Sequence, residues 1–301
     1  MKFRLALLAL AALAFARPGH ATYSITAVDR ATRQVGGTGT SCISGGSVYR
    51  IYGSAPGFGA VNSQALASTQ GRDEAVRLLA QGWAPDAIIQ RLTDPAFDLF
   101  FESRQYGIVA LSGQSAGHSG TATQSYSNDL QGNVEPFAFS IQGNILTGEA
   151  VLSQARAAFV DGRGCDLAAR LMLALEGGAK NAQGDRRCTP SGIPADAAYI
   201  QVDLPGQPRG SFLYLEVSAT APQSPVVRLR QLYDSWRVNH ACPTGGSAGS
   251  SGAGGGGTGA TPGACSIGLR ESSMDYAAWI ALGLGVLAAL RTTRRARAAR
   301  G

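Results

Sequence analysis

The tract CPTGGSAGSSGAGGGGTGATPGAC, residues 242–265, decides where a folded body can lie. Glycine and serine offer almost no side-chain surface to bury, so such a run behaves as a tether rather than as packed structure. What remains, residues 22–240, is long enough for one substantial hydrophobic core. The organisation expected is a leader over 1–21, a domain over 22–240, a linker over 241–264 and a carboxy-terminal cassette over 265–301.

At the amino end, MKFR supplies positive charge, LALLALAALAFA an apolar run, and GHA small residues before a cut after Ala21. That is the pattern of a secretory signal peptide, and its shortness argues against a retained anchor. At the other end, MDYAAWIALGLGVLAAL precedes RTTRRARAARG. The apolar run sits at the lower limit for crossing a bilayer, about 17 residues, and the arginines are expected to stay cytoplasmic. The expectation is a transmembrane segment that anchors an exported domain at the cell surface or membrane. A buried core helix is the alternative.

The formal charge of +6 is concentrated in these ends. Lys2, Arg4 and Arg17, with Arg291, Arg294, Arg295, Arg297 and Arg300, carry eight positive charges unopposed by any acid, which leaves −2 for residues 22–290. The basic balance therefore describes targeting, and nucleic-acid binding is excluded on that ground. Five cysteines in an exported chain imply some pairing. Cys165 and Cys188, flanking a helix and loop, are the first choice of bridge. His118 and His240 are too few for a histidine-built metal site, so neither metal nor cofactor is expected.

TYSITAV and VGGTGTS read as a strand and its return, and GFGAVNSQA as another. Helical spacing follows in GRDEAVRLLAQGW, through Val76, Leu79, Ala80 and Trp83, and after Pro85 through Ile88, Ile89 and Leu92. Strand-like YGIVAL and FAFSIQG lead to two more helices, through Val151, Leu152, Ala155 and Phe159, and through Leu167, Leu171, Met172 and Leu175. AAYIQVDL and SFLYLEV resume strands, and SPVVRLRQLYDSW closes with a helix. The rhythm predicts layered sheets and helices. No GxGxxG, Walker loop or GxSxG elbow occurs, which removes the common dinucleotide, nucleotide and α/β-hydrolase readings.

A cut after Ala21 would give Thr22 a hydroxyl and a free α-amine. The amine, with an ordinary pKa of about 7.7–8.0, is partly neutral near neutral pH and can take the hydroxyl proton directly or through one water. An internal Thr22 has only an amide nitrogen and no such base.

TYSITAVD at 22–29, VGGTGTSC at 35–42, NSQA at 62–65, QGN at 142–144 and GDRR at 184–187 together resemble the DUF1028 family. That family looks like a branch of the amino-terminal-nucleophile (Ntn) hydrolases. The resemblance spans roughly residues 22–235 and implies an α+β fold, a four-layer αββα sandwich with two antiparallel sheets between helical layers. Members place a threonine directly after the initiator methionine, where Thr22 follows Ala21 here. Proteasome-type relatives also set a lysine near the nucleophile, whereas this chain has only Lys2 and Lys180. Members often have a basic residue after the return-strand serine, where this chain has Ser41-Cys42. The amine of Thr22, or an arginine, must then supply the local positive field.

The function expected is an exported hydrolase that cleaves an amide or related acyl bond of a small-molecule or peptide-like substrate, an N-terminal threonine amidohydrolase. Catalytic roles are expected for Thr22, for Gln64 and Asn144 as oxyanion donors, and for Asp185 holding Arg186 against a substrate carboxylate. Gln142 and His118 are expected to touch substrate; Asp29 reads as a turn residue. GACSIGLRESS, the apolar segment and the arginines resemble carboxy-terminal surface-sorting signals of the myxobacterial type, which makes Cys265 a processing or lipidation site. Signal peptidase, a sorting protease and the membrane are the partners implied, and a homo-oligomer is left open. The competing reading is a noncatalytic, surface-anchored domain that binds a small ligand or serves structure.

Overall fold

In the computed structural model, which describes residues 22–43, 45–218 and 223–242, the first strand explains the layering. Strand β1, Thr22–Asp29, puts Tyr23, Ile25 and Ala27 on one face and Thr22, Ser24 and Thr26 on the other. Such alternation usually marks a strand with one face in water. Here all eight residues are buried. The apolar face packs on helices, and the polar face meets a second sheet.

The other strands follow in chain order: β2 Gln34–Ser41, β3 Tyr52–Ala55, β4 Gly59–Ala65, β5 Arg104–Ala110, β6 Ser115–Ser119, β7 Asn128–Val134, β8 Phe137–Asn144, β9 Ala197–Asp203 and β10 Leu213–Ser218. They form a six-stranded sheet, β10-β9-β2-β1-β8-β7, and a four-stranded sheet, β3-β4-β5-β6. Each paired set is antiparallel. β1 lies in the middle of the larger sheet, with Thr22 opposite Ser41 on one side and Asn144 on the other.

Five helices cover the outer faces: α1 Thr69–Ala80, α2 Pro85–Leu92, α3 Ala150–Asp161, α4 Leu167–Gly178 and α5 Pro225–Arg237. α3, α4 and α5 bury Val151, Leu152, Ala155, Phe159, Leu171, Met172, Leu175 and Leu229 against Tyr23, Ile25, Phe139 and Ile200 of the larger sheet. α1 and α2 bury Leu78, Leu79, Ile88 and Leu92 against Val61, Tyr106 and Ile108 of the smaller one. The architecture is thus a mixed α/β fold, two antiparallel sheets flanked by helices in a general αββα sandwich.

The seam between the sheets is unusual in being largely polar. A small apolar cluster around Val28, Val35, Tyr52, Ala60, Val109 and Tyr199 closes one end. Toward Thr22, the facing side chains are hydroxyls and amides. Gly107 permits the closest approach, since a Cβ there would stand 1.9 Å from Gln142 Oε1.

Several sequence expectations need correction. Trp83 is not part of the α1 stripe: the helix ends at Ala80, Gly82 turns the chain at φ +80°, and Trp83 is 45% exposed. The apolar stripe runs instead through Ala75, Leu78 and Leu79. The expected transmembrane segment, and with it the membrane partner and the membrane-anchored location, is corrected as well. Among the described residues, no helix is long and apolar enough to cross a membrane. α5, with 13 residues, would extend only about 20 Å, against a hydrocarbon core of about 30 Å. The leader at 1–21, the apolar run at 274–290, the sorting signal and Cys265 all lie outside the described residues.

Candidate active site

Thr22 opens the central strand with its side chain on the polar seam. Its hydroxyl donates to Ser41 Oγ at 3.1 Å, across the pairing that the β1–β2 turn sets in register. Its carbonyl accepts from Gln64 Nε2 at 3.1 Å, a bond that crosses from β4 in the other sheet. Thr22, Ser41 and Gln64 form part of the wall of a cavity of about 280 Å³, with Ile43, Val48, Ile51, Ala65 and Arg50 around them. A second cavity, of about 700 Å³, shares Ala65 and Ala67 with the first and reaches Asn144, Ile145, Arg104 and Phe100. Thr22 thus lines the smaller space, while Asn144, its partner across the β1–β8 pairing, lines the larger.

A ladder of amides holds this corner. Ser24 Oγ donates to Gln64 Oε1 at 2.6 Å, and Gln142 Nε2 donates to Ser24 at 2.8 Å. Gln64 Nε2 gives its second hydrogen to Gln105 Oε1 at 2.7 Å, and Asn144 Nδ2 donates to the same oxygen at 3.1 Å. Gln105 Nε2 in turn reaches Ser119 Oγ at 2.7 Å and Gly143 O at 2.9 Å. Every donor of Gln64 is thereby engaged, since a primary amide has two hydrogens. Gln64 fixes Thr22 and has no hydrogen left for an oxyanion. Asn144 uses one hydrogen, and among the described residues the other has no acceptor. Gln142 belongs to the buried ladder and lines neither cavity, so a direct substrate contact is not its place.

Asp185 is buried beneath the return strand rather than open to the cavities. Its carboxylate accepts from Cys42 N at 2.7 Å, one residue past Ser41, and from the Arg187 guanidinium at 2.8 and 3.1 Å. The fork held by Asp185 is thus that of Arg187. Arg186 is exposed and attaches through its backbone N–H to Ile145 O at 3.0 Å. Asp196 completes the brace by accepting from Ile43 N at 2.6 Å. Burial pushes its carboxyl above the ordinary aspartate range, and the charge of Asp185 adds to that.

The expected Cys165–Cys188 bridge is replaced by two others, Cys42–Cys188 and Cys165–Cys242. The physical reason is placement. The turn after Asp185 brings Cys188 under β2, where Cys42 leaves the sheet, while Cys165 at the start of α4 meets the chain just past α5. Cys42, Cys188 and Asp196 come within 4.8 Å of one another, but both sulfurs are in the disulfide and offer no thiolate to a metal.

His118 is neither in a loop nor near Thr22. It lies on β6 opposite Tyr106, and its Nε2 is 3.1 Å from Phe101 O. Its neighbour Ser119 faces the seam, so His118 points to the helical side of the smaller sheet. Asp29, at the far end of β1, accepts from Ala31 N, Thr32 N and the Thr32 hydroxyl, as a turn residue does.

Three features had no clear sequence signal. Ser41 and Gln105 read as ordinary polar strand positions until the second sheet is present. Arg50 reads as a surface charge, yet it borders the smaller cavity. Ala65 at φ +65° and Ile145 at φ +52° adopt left-handed backbone without being glycine. They end β4 and β8 at the cavity walls, and strain of this kind gathers at functional sites.

No curated protein matches the chain. Among solved structures, it is similar to the crystal structure of protein SPO2555 from Silicibacter pomeroyi, which carries the DUF1028 assignment. The two are 23% identical with a TM-score of 0.60, over 72% of this chain and 89% of that one. At that identity the likeness concerns the fold. A family profile described as "Family of unknown function (DUF1028)" matches residues 22–228. That match opens on Thr22 and takes in both sheets, the first four helices and the first turn of α5, and on it the chain belongs to the DUF1028 family.

Proposed function

We propose that the domain is an Ntn-type hydrolase in which removal of residues 1–21 frees Thr22 as nucleophile and base. The observation that carries this reading is the Thr22 hydroxyl, bonded to Ser41 on the wall of a cavity at the first position of the central strand. The two disulfides support passage through a compartment where thiols oxidise.

The reaction follows from the groups present. The neutral amine of Thr22 takes the Oγ proton as Oγ bonds to the acyl carbon of an amide. Asn144, with its unused amide hydrogen, faces the carbonyl oxygen from the larger cavity. The C–N bond breaks as the protonated amine returns the proton to the leaving nitrogen. Water then adds to the Thr22 ester, gives its proton to the amine, and releases the acid with Oγ reprotonated. Ser41 and Gln64 position Thr22 without joining the transfer. Residues 241–264 then serve as a linker beyond the domain.

The test is covalent labelling by a reactive acyl probe such as a β-lactone. Protein whose sequence begins TYSIT is expected to form one acyl adduct on Thr22. Thr22→Ala is expected to form none, and a chain with one extra residue before Thr22 to lose at least about 100-fold in labelling rate, the scale of a missing general base. Equal labelling of wild type and Thr22→Ala overturns the proposal.

A further inference from the structure

We propose that the smaller cavity takes a carboxylate, and that the substrate is an amide whose acyl part is a short aliphatic chain ending in that group, bound by Arg50. The inference rests on the hydrolase reading for the bond cleaved, but not for the ligand bound.

The cavity is electrostatically one-sided. Arg50 is its only charged wall residue among those described, and no Asp or Glu borders it. Among the described residues Arg50 forms no ion pair. Its guanidinium makes no hydrogen bond among the described residues, while its backbone carbonyl accepts from Arg72 Nη1 at 2.6 Å, which brings a second cation toward the same turn. The neighbouring arginines are committed elsewhere: Arg72 to Asp73, Arg104 to Asp98 and Arg187 to Asp185. A planar guanidinium with free donors at the edge of a small cavity suits a carboxylate, which it can grip with two parallel bonds.

The rest of the wall sets the shape of the occupant. Ile43, Val48, Ile51, Ala65 and Ala67 are apolar, while Gly45 and Gly46 contribute no side chain. At about 280 Å³ the space lies at the lower end for ligand sites, roughly 300–1,000 Å³. A short methylene chain from the Thr22 end to Arg50 would fill it, with the leaving amine directed past Ala65 into the larger cavity. The positive field that the missing lysine fails to supply would then come from Arg50, acting on the substrate and not on the nucleophile.

Calorimetry with succinate, glutarate and adipate on the full chain begun at Thr22 tests binding without turnover. At least one diacid is expected to bind, the uncharged pentanamide at least about 10-fold more weakly, and Arg50→Met to weaken the diacid at least about 10-fold. Arg50→Lys should recover part of that loss and raise its salt dependence. Because Arg50 is exposed, neither variant removes a core contact. The same measurements on Thr22→Ala separate the two proposals: retained diacid binding without probe labelling of wild type sinks the hydrolase and leaves the anion site standing. Turnover adds a second readout, the ratio of kcat/KM for glutaryl against pentanoyl p-nitroanilide, expected at 10 or more in wild type and near 1 in Arg50→Met. Diacid binding that is absent, or unchanged by Arg50→Met, overturns the inference.

Discussion

The side chain of Gln105 ties both sheets to the Thr22 corner. Its oxygen accepts from Gln64 and Asn144, and its nitrogen donates to Ser119 and Gly143 O. Gln105→Leu keeps the approximate volume but leaves those buried groups without partners. It is expected to cost about 2–4 kcal/mol in urea unfolding, because an orphaned buried donor or acceptor forfeits its full desolvation term. The strand that Thr22 opens was legible, because TYSITAV carries the β-branched and aromatic residues of one. Gln105 was not, since in RQYGIVA a glutamine beside an arginine looks solvent-facing until the opposite sheet is placed. Arg187 was half legible: GDRR contains a carboxylate-held fork, but only the path of the turn decides which arginine it is.

At the scale of elements, the segment between α2 and β5 is pinned by one buried ion pair. Arg104 Nε meets Asp98 at 2.8 Å with both side chains largely buried, and Arg104 also bonds Leu66 O. Burial pushes the Asp98 carboxyl up, but its bonds to Arg104 and the Phe100 N–H outweigh this and hold it below the ordinary aspartate value. A depressed native pKa means that the folded state binds this proton less readily than the unfolded chain. The stabilisation is therefore complete above the unfolded value and is lost as pH falls through the native one. Urea midpoints of wild type and Asp98→Asn are expected to differ at pH 7 and to converge toward pH 3. Helices α3 and α4 were readable residue by residue, because 3.6-residue spacing of large apolar side chains has no other use. Strands β6 and β7 were not. SAGHS and NDLQGNV, as edge strands, lack an apolar alternation, and their pairing is imposed by β5 and β8.

For the molecule as a whole, two cross-links close long loops, 146 and 77 residues in separation. A disulfide typically contributes about 2–4 kcal/mol, so melting with reductant is expected to show a clearly lowered Tm. The bridges should differ in their second effect. Replacing Cys165 and Cys242 by serine should reduce stability alone, because that bridge fastens α5. Replacing Cys42 and Cys188 should also slow Thr22 labelling, because Cys42 follows Ser41 directly. That sheets and helices would form layers was legible because helical and strand periods alternate along the chain, and the αββα order was implied by the family resemblance, whereas the chemistry of the middle seam was not legible, because polar strand faces read as wet ones. That seam carries a consequence of its own. Greased sheets can slip and repack by small steps, but interlocked amides accept only the register in which each hydrogen meets its oxygen. Exchange of Ser24, Gln64, Gln105 or Gln142 for apolar residues should thus be tolerated as a matched group and not singly, and a workable redesign of this interior would have to rewrite the ladder in one stroke.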